Sequence, residues 1–236
     1  MSYDWYTSRG NIKSMQICPS ILEPKAEGYI SQIIRLSPYF KYFQLDFSDG
    51  IYVDNKTASL DEFINYLSNQ VTKLPTNLIF DFHLMVKDYE KEIEKLEKLK
   101  NIITIKNIFI HFDLYPNLSL ITSHYSLFNI GLVLNPQDHV SDLTGHYALN
   151  DIPLIQIMSI VPGAQGKPFI PDALNMFEQL RKSGYRNELF LDGAVNEKTL
   201  PLIDSLKYKP DYICPGSYLT KTNDLKNHVD YLLKFT

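Results

Sequence analysis

The segment Leu78–Leu84 reads Leu-Ile-Phe-Asp-Phe-His-Leu, a short apolar run in which two polar residues alternate with aromatic ones. Its length and its aromatic content are typical of a buried β-strand rather than a helix. Seven further runs of this kind occur along the chain: Met15–Cys18, Tyr42–Phe47, Ile108–Phe112, Ile130–Leu134, Leu154–Met158, Leu189–Leu191 and Tyr212–Cys214. We therefore predict eight strands, each ending in a polar or glycine-containing turn.

The intervals between these runs carry helical periodicity. From Asp88 to Lys100, apolar residues recur at three- and four-residue steps, while Glu and Lys fill the other face. Further helices are predicted from Pro171 onwards, over Asp224–Phe235 and, with weaker patterns, over Pro24–Leu36, Asp61–Val71, His139–Leu149 and Glu197–Leu206. The pattern is thinnest between Leu118 and Phe128. Strands that alternate with helices in this way favour one closed (β/α)8 TIM barrel over an open doubly wound sheet.

The length of 236 residues fits a single barrel of roughly 250 residues. No linker or low-complexity segment interrupts it, so we predict one barrel domain over residues 13–236. Residues 1–12 are polar and aromatic and are predicted to be an N-terminal extension, without the apolar core of a signal peptide.

Composition excludes several classes of partner. The net charge is -4 and no Lys/Arg block forms a basic stripe, which argues against nucleic acid. No apolar stretch approaches the ~20 residues that span a bilayer, so no membrane association is expected. Cys18 and Cys214 lie in apolar runs and do not describe a disulfide framework. These features predict a cytoplasmic protein.

Polar side chains follow the ends of the predicted strands, where barrels of this type form their active sites. They are Ser20, Gln44, Asp46, Ser48, Asp49, His83, His111, Asp113, Asn135, Asp192 and Ser217. Asp46 and Asp192 come from the second and seventh strands, on roughly opposite sides of a barrel. Such a pair would suit a reaction that removes a proton from one face of a carbon and returns it to the other.

Glycine-containing loops follow the last three strands. They are Pro162–Gly166, Asp192–Ala194 and Pro215–Ser217. Loops after the seventh and eighth strands commonly hold phosphate through backbone N–H groups that small residues leave accessible. We therefore predict phosphate binding at Gly193, Ala194, Gly216 and Ser217.

From Gln16 to Ser217, the chain resembles the ribulose-phosphate 3-epimerase family. Asp81–Val86 matches the family's Asp-x-His-Leu-Met-Val motif, and Leu45–Gly50 is similar to its Asp-x-Met-Asp-Gly motif. The other fragments that carry the resemblance are Cys18–Leu22, Val53 with Asn55, Gly131–Pro136, Met158–Gly163, Leu191–Asn196 and Gly216–Ser217. They occur in the family's order and at the predicted strand ends.

The resemblance implies one divalent metal ion (Fe, Mn or Zn) held by two histidines and two aspartates. Asp46, His83 and Asp192 match three of these ligands, and the two aspartates would also be the catalytic acid–base pair. Gln44 stands in the place of the fourth ligand, a histidine, and a neutral amide oxygen is a poorer donor for zinc or iron. The metal would stabilise the enediolate formed when the proton beside the ketone is removed.

The resemblance also implies a set of substrate contacts. They would come from Ser20, His83, Met85, Met158, Gly163, Ala164, Gln165 and Gly166. Ala194 replaces a glycine of the phosphate loop, which is tolerable only if its backbone does not need a positive φ.

Three functions compete at this point. The first is 3-epimerisation of a small phosphorylated ketose, with ribulose 5-phosphate as the default substrate and a six-carbon ketose phosphate as an alternative. The second is a catalytically impaired or repurposed barrel that binds a sugar phosphate, which Gln44 motivates. A decarboxylase ranks last because neither Lys41 nor Lys106 lies in the Asp-x-Lys motif that this chemistry needs. By analogy with the family, a homo-oligomer is expected.

Overall fold

Parallel strands form one sheet that closes on itself. The structure is a computed structural model and describes residues 14–236, so the predicted extension over residues 1–12 lies outside the described residues. Within this range the strands are β1 (Gln16–Ile17), β2 (Ser20–Ile21), β3 (Tyr42–Ser48), β4 (Ile79–Met85), β5 (Thr104–His111), β6 (Asn129–Leu134), β7 (Leu154–Met158), β8 (Glu188–Asp192) and β9 (Tyr212–Cys214). All neighbouring pairs are parallel.

The first predicted strand is divided into two short strands, β1 and β2, which close the barrel by pairing with different neighbours. Gln16 of β1 pairs with Tyr212 of β9, whereas Ser20 of β2 pairs with Gln44 of β3. Pro19 lies between the two pieces and has no N–H to donate to a ladder, but its carbonyl accepts from Gln44 N at 2.9 Å. The chain thus passes from one neighbour to the other at this proline, and the predicted single (β/α)8 barrel is confirmed.

Helices cover the outside of the sheet. They are α1 (Ala26–Leu36), α2 (Leu60–Gln70), α3 (Tyr89–Glu97), α4 (Leu118–His124), α5 (Val140–His146), α6 (Asn175–Lys182), α7 (Leu200–Asp204), α8 (Ser217–Thr220) and α9 (Leu225–Leu232). The predicted helices are confirmed with shifted ends, and the stretch with the thinnest pattern forms α4. Pro171 opens a 3-10 turn, Pro171–Leu174, immediately before α6. No helix in residues 14–236 is both long and apolar enough to cross a bilayer.

Alternation along the strands divides the core into two parts. Phe47 of β3 faces outwards and packs on the rings of Tyr29 in α1 and Phe63 in α2, with ring centroids 4.9 and 5.5 Å away. A separate apolar cluster fills the barrel interior: Cys18, Phe109, Val133, Leu154, Met158, Ile160, Phe190, Tyr212 and Cys214. Gly131 allows this close packing, since a Cβ there would lie 2.8 Å from Leu154 Cγ and 2.9 Å from Phe109 Cδ1.

Candidate active site

Three buried side chains meet at the C-terminal end of the barrel. Asp46 of β3, His83 of β4 and Asp192 of β8 each offer a ligand atom, and these atoms all lie within 4.8 Å of one another. His83 Nδ1 is 3.3 Å from Asp46 Oδ1 and 3.7 Å from Asp192 Oδ2. Asp46 pairs with His83 in the ladder, which sets the first contact. Curvature of the sheet brings Asp192 to the same point.

Gln44 joins the two carboxylates. It lies two residues before Asp46 on β3, so both side chains point into the barrel. Its Nε2 donates to Asp46 Oδ1 at 2.9 Å and to Asp192 Oδ2 at 3.0 Å. Its Oε1 accepts from the thiol of Cys214, with the two atoms 3.7 Å apart. The side chain is fully buried, and its amide nitrogen faces the acidic pair.

A second amide, that of Gln156, reaches the same cluster. Gln156 is fully buried in the middle of β7. Its Nε2 donates to Asp192 Oδ2 at 3.3 Å and lies 3.4 Å from His83 Nδ1. Sequence reasoning missed this residue because it is not at a strand end. The signal that could have found it is its spacing of two from Met158, which points into the same interior.

His111 lies behind His83. The two Nε2 atoms are 2.9 Å apart, and the ring of Tyr52 lies on the other side of His111 with centroids 4.6 Å apart. Tyr52 in turn donates to Asp113 Oδ1 at 2.8 Å and accepts from Asn135 Nδ2 at 3.0 Å. His111, Asp113 and Asn135 thus support the site from outside, without contacting the carboxylates.

Burial shifts the pKa values of two groups, Asp192 and His111. Burial, reinforced by the nearby charge of Asp46, raises the pKa of Asp192 to about 7. Burial also lowers the pKa of His111 well below its usual range, with the adjacent His83 acting in the same direction. His111 is therefore neutral at physiological pH, so one of its ring nitrogens is free to accept a hydrogen bond.

The predicted substrate and phosphate residues surround one cavity above the acidic pair. Its lining contains Asp46, His83 and Asp192 together with Ser20, Met85, Met158, Gly163, Ala164, Gln165, Gly166, Gly193, Ala194, Gly216 and Ser217. The backbone at position 216 can lie close to this cavity because glycine has no Cβ. A Cβ there would lie 2.7 Å from Gln165 Nε2 and 2.8 Å from Ser20 Oγ. The cavity is thus acidic at its base and lined with small residues at one wall.

Ala194 has a φ of 49°, in the left-handed region. The condition set from the sequence, that this backbone should not need a positive φ, is therefore not met. The carbonyl of Ala194 accepts from Asn196 Nδ2 at 2.8 Å and from Thr199 Oγ1 at 2.6 Å. These two hydrogen bonds hold the loop in its strained conformation.

Two polar residues that the sequence singled out, Asp49 and Asp81, do not line this cavity. Asp49 accepts from the backbone N–H groups of Ile51 and Tyr52, at 2.7 and 2.8 Å, and therefore shapes a loop. Asp81 lies two residues before His83 on β4, and its Oδ1 accepts from Asn107 N at 3.0 Å. The Nζ atom of Lys106 lies 3.7 Å from Glu188 Oε2.

Both the sequence and the fold have relatives among known proteins. The model of the ribulose-phosphate 3 epimerase family matches residues 16–219. The chain belongs to the ribulose-phosphate 3-epimerase family. It is 27% identical over 222 residues to the ribulose-phosphate 3-epimerase of Helicobacter pylori, covering 92% of this chain and 96% of that protein. It is 26% identical over 196 residues to the enzyme of Methanocaldococcus jannaschii, covering 81% and 77%.

Solved structures support the fold of this family member. KGPDC from Streptococcus mutans has a TM-score of 0.64 at 11% identity and covers 94% of this chain and 99% of its own. A tryptophan synthase α-subunit from Pyrococcus furiosus has a TM-score of 0.64 at 13% identity, covering 94% and 98%. At these identities the likeness concerns the barrel alone.

Proposed function

We propose that this protein catalyses the 3-epimerisation of a ketose phosphate, interconverting ribulose 5-phosphate and xylulose 5-phosphate or a close analogue. Membership of the family supports an epimerase, which is a type of isomerase. The observation that carries the specific proposal is the meeting of Asp46 and Asp192 at the base of a cavity whose wall contains Gly193 and Gly216.

The two carboxylates suit a two-base mechanism. They come from β3 and β8, which are separated in the closed sheet by β9 and by the two pieces of the first strand. One carboxylate would remove the proton from the carbon beside the ketone, and the other, protonated, would return a proton on the opposite face. Burial of both groups keeps bulk water from supplying that proton at random.

A divalent cation fits the three side chains that face one another. Asp46 and Asp192 offer carboxylate oxygens and His83 offers Nδ1, which are donor types that bind divalent cations. When bound, the cation would act as a Lewis acid on the enediolate oxygens. His111 lies where its Nε2 can accept the Nε2–H of His83, which would leave Nδ1 free as a ligand.

The substrate phosphate would lie against the loops that follow β8 and β9. Backbone N–H groups at Gly193, Ala194, Gly216 and Ser217 are the proposed donors. Gly193 and Gly216 have no side chain to obstruct them, and a Cβ at Gly193 would come within 2.7 Å of Ile160 Cγ1. Ser20, Met85, Met158 and the loop Gly163–Gly166 are proposed to contact the sugar.

One observation favours a second function, sugar-phosphate binding without turnover. Gln44 places an amide nitrogen, rather than a fourth ligand, between the two carboxylates. A barrel that keeps the phosphate-binding loops but lacks a working pair of catalytic carboxylates would bind the same sugar phosphates without epimerising them.

The test is deuterium exchange, followed by NMR, with ribulose 5-phosphate and separately xylulose 5-phosphate in deuterated water containing Fe²⁺, Mn²⁺ or Zn²⁺. We expect deuterium at the carbon beside the ketone together with interconversion of the two sugars. D46N and D192N should each lower interconversion by about 10²–10⁴-fold. Because each base serves one face, each variant should lose exchange chiefly from one of the two epimers.

The exposed Asp142→Asn variant is the matched control and should keep the wild-type rate. Absence of exchange with every metal, with six-carbon ketose phosphates also unchanged, would leave only the binding function.

A further inference from the structure

The hydrogen bonds of Gln44 and Gln156 use the same atoms that would bind a cation. Gln44 Nε2 donates to Asp46 Oδ1 and Asp192 Oδ2, and Gln156 Nε2 donates to Asp192 Oδ2 and faces His83 Nδ1. Asp46 Oδ1, Asp192 Oδ2 and His83 Nδ1 are the three atoms that approach one another at the centre of the site. Each lone pair engaged by an N–H is withdrawn from a metal ion.

Both amides are held in this orientation by their surroundings. Gln44 Oε1 accepts from Cys214 Sγ, so turning the amide would lose that contact and would point its oxygen at two carboxylates. Gln156 Oε1 has no hydrogen-bond partner among the described residues, so the contacts of its Nε2 are the ones that fix the amide. Both side chains are fully buried, where water cannot replace a lost donor.

Amide N–H groups and a cation compete for the same acceptor atoms, and the strength of the amide contacts determines how tightly a cation binds. An N–H donor to a buried carboxylate is a charge-assisted hydrogen bond. His83 Nδ1 has a single lone pair, so a cation that binds this atom must displace Gln156 Nε2. Each carboxylate oxygen has a second lone pair, but the amide donors already stabilise its negative charge, which leaves less to gain from a cation. Loss of one buried donor contact is equivalent to roughly tenfold or more in affinity.

We propose that Gln44 and Gln156 form an amide clamp that competes with divalent cations for Asp46, His83 and Asp192. The clamp makes metal binding in this protein weak and readily reversible, and it holds the two carboxylates together when no metal is bound. This inference rests on the metal site of the proposed function but does not depend on turnover.

Gln156 gives the sharper test, because Gln156→Leu removes a competing donor without adding a ligand. Full-length protein is dialysed against EDTA and titrated with Zn²⁺ and Mn²⁺ by calorimetry, using a competing chelator for tight binding. We expect Q156L to bind both ions at least tenfold more tightly than the wild type. Q156M, which keeps the length of the side chain, should behave alike.

Q44H exchanges two donor contacts for an imidazole and should raise zinc affinity by roughly 100-fold or more. The matched control is Q179L, the same change on the exposed face of α6, and it should leave affinity unchanged. Thermal midpoints of the metal-free variants check that each is folded.

The proposal is overturned if the affinities of Q156L and Q156M for Zn²⁺ and Mn²⁺ are within twofold of the wild-type values or are weaker. Gln156 would then have no effect on cation binding or would favour it. Stoichiometric zinc that remains on the wild type after dialysis against EDTA would overturn it as well, without any variant. Deuterium exchange is a separate readout. Tighter binding by Q156L with no exchange in any variant would refute the epimerase and leave the clamp intact.

Discussion

At the scale of single residues, Ala194 stands out because its backbone carries a strain that a glycine would avoid. Its φ of 49° lies beside that of Gly193, at 104°, in the loop that follows β8. The left-handed region costs a non-glycine residue roughly 1–2 kcal/mol. Thr199 and Asn196 offset this by donating to the Ala194 carbonyl.

We expect Ala194→Gly to stabilise the protein by about 0.5–1 kcal/mol, since relief of strain exceeds the greater freedom of glycine in the unfolded chain. Urea unfolding measures the change. Gly184→Ala is the matched reverse control, because its φ is 96° and a Cβ there meets nothing within 4 Å. G184A should destabilise by about 1 kcal/mol. An A194G variant less stable than the wild type would contradict the assignment of strain.

At the scale of elements, each strand delivers site residues on one face and core residues on the other. β3 turns Gln44, Asp46 and Ser48 inwards, while Phe47 packs against α1 and α2. The start of α2 is fixed by a capping box, in which Ser59 Oγ accepts from Glu62 N at 3.2 Å and Ser59 N donates to Glu62 Oε2 at 2.7 Å. Local side-chain chemistry thus sets where the helix behind β3 begins.

We expect Ser59→Ala to lower the free energy of unfolding by about 1 kcal/mol, because the first turn of α2 loses its cap. Chemical denaturation followed by circular dichroism measures it. Ser68→Ala makes the same change in an exposed position inside α2, where alanine is the better helix former, and should be neutral or slightly stabilising. Equal effects of the two substitutions would argue against a role for the cap.

At the scale of the whole molecule, the cavity belongs to the closed barrel and to no single segment. Its lining comes from β2, β3, β4, β7 and β8 and from the loops after β7, β8 and β9. Unfolding therefore destroys the site completely, and a ligand that binds it can stabilise only the folded state.

We expect ribulose 5-phosphate to raise the thermal midpoint with concentration. At a hundred times the dissociation constant the gain is about 2.7 kcal/mol, which for a chain of this size is about 5–10 °C. Differential scanning calorimetry measures the shift, and unphosphorylated ribulose is the control. No shift up to millimolar ribulose 5-phosphate would contradict phosphate binding by the loops after β8 and β9.

The barrel and most of the residues at its mouth could be predicted from the order of amino acids alone. Strand runs and helical stripes are local patterns, and the parallel strands of a barrel all place their C-terminal ends at one face. The positions of Asp46, His83 and Asp192 along their strands therefore sufficed to bring them to the same end.

The contacts of those residues, in contrast, emerged with the folded chain. Gln44 and Asp192 are 148 positions apart in the chain, yet their side chains are hydrogen-bonded. Gln156 enters the cluster from the middle of β7, and the left-handed backbone of Ala194 is set by two side-chain donors that follow it. Such facts depend on barrel curvature and on the rotation of individual amides. These are fixed by contacts between distant segments, which the order of residues along one strand does not contain.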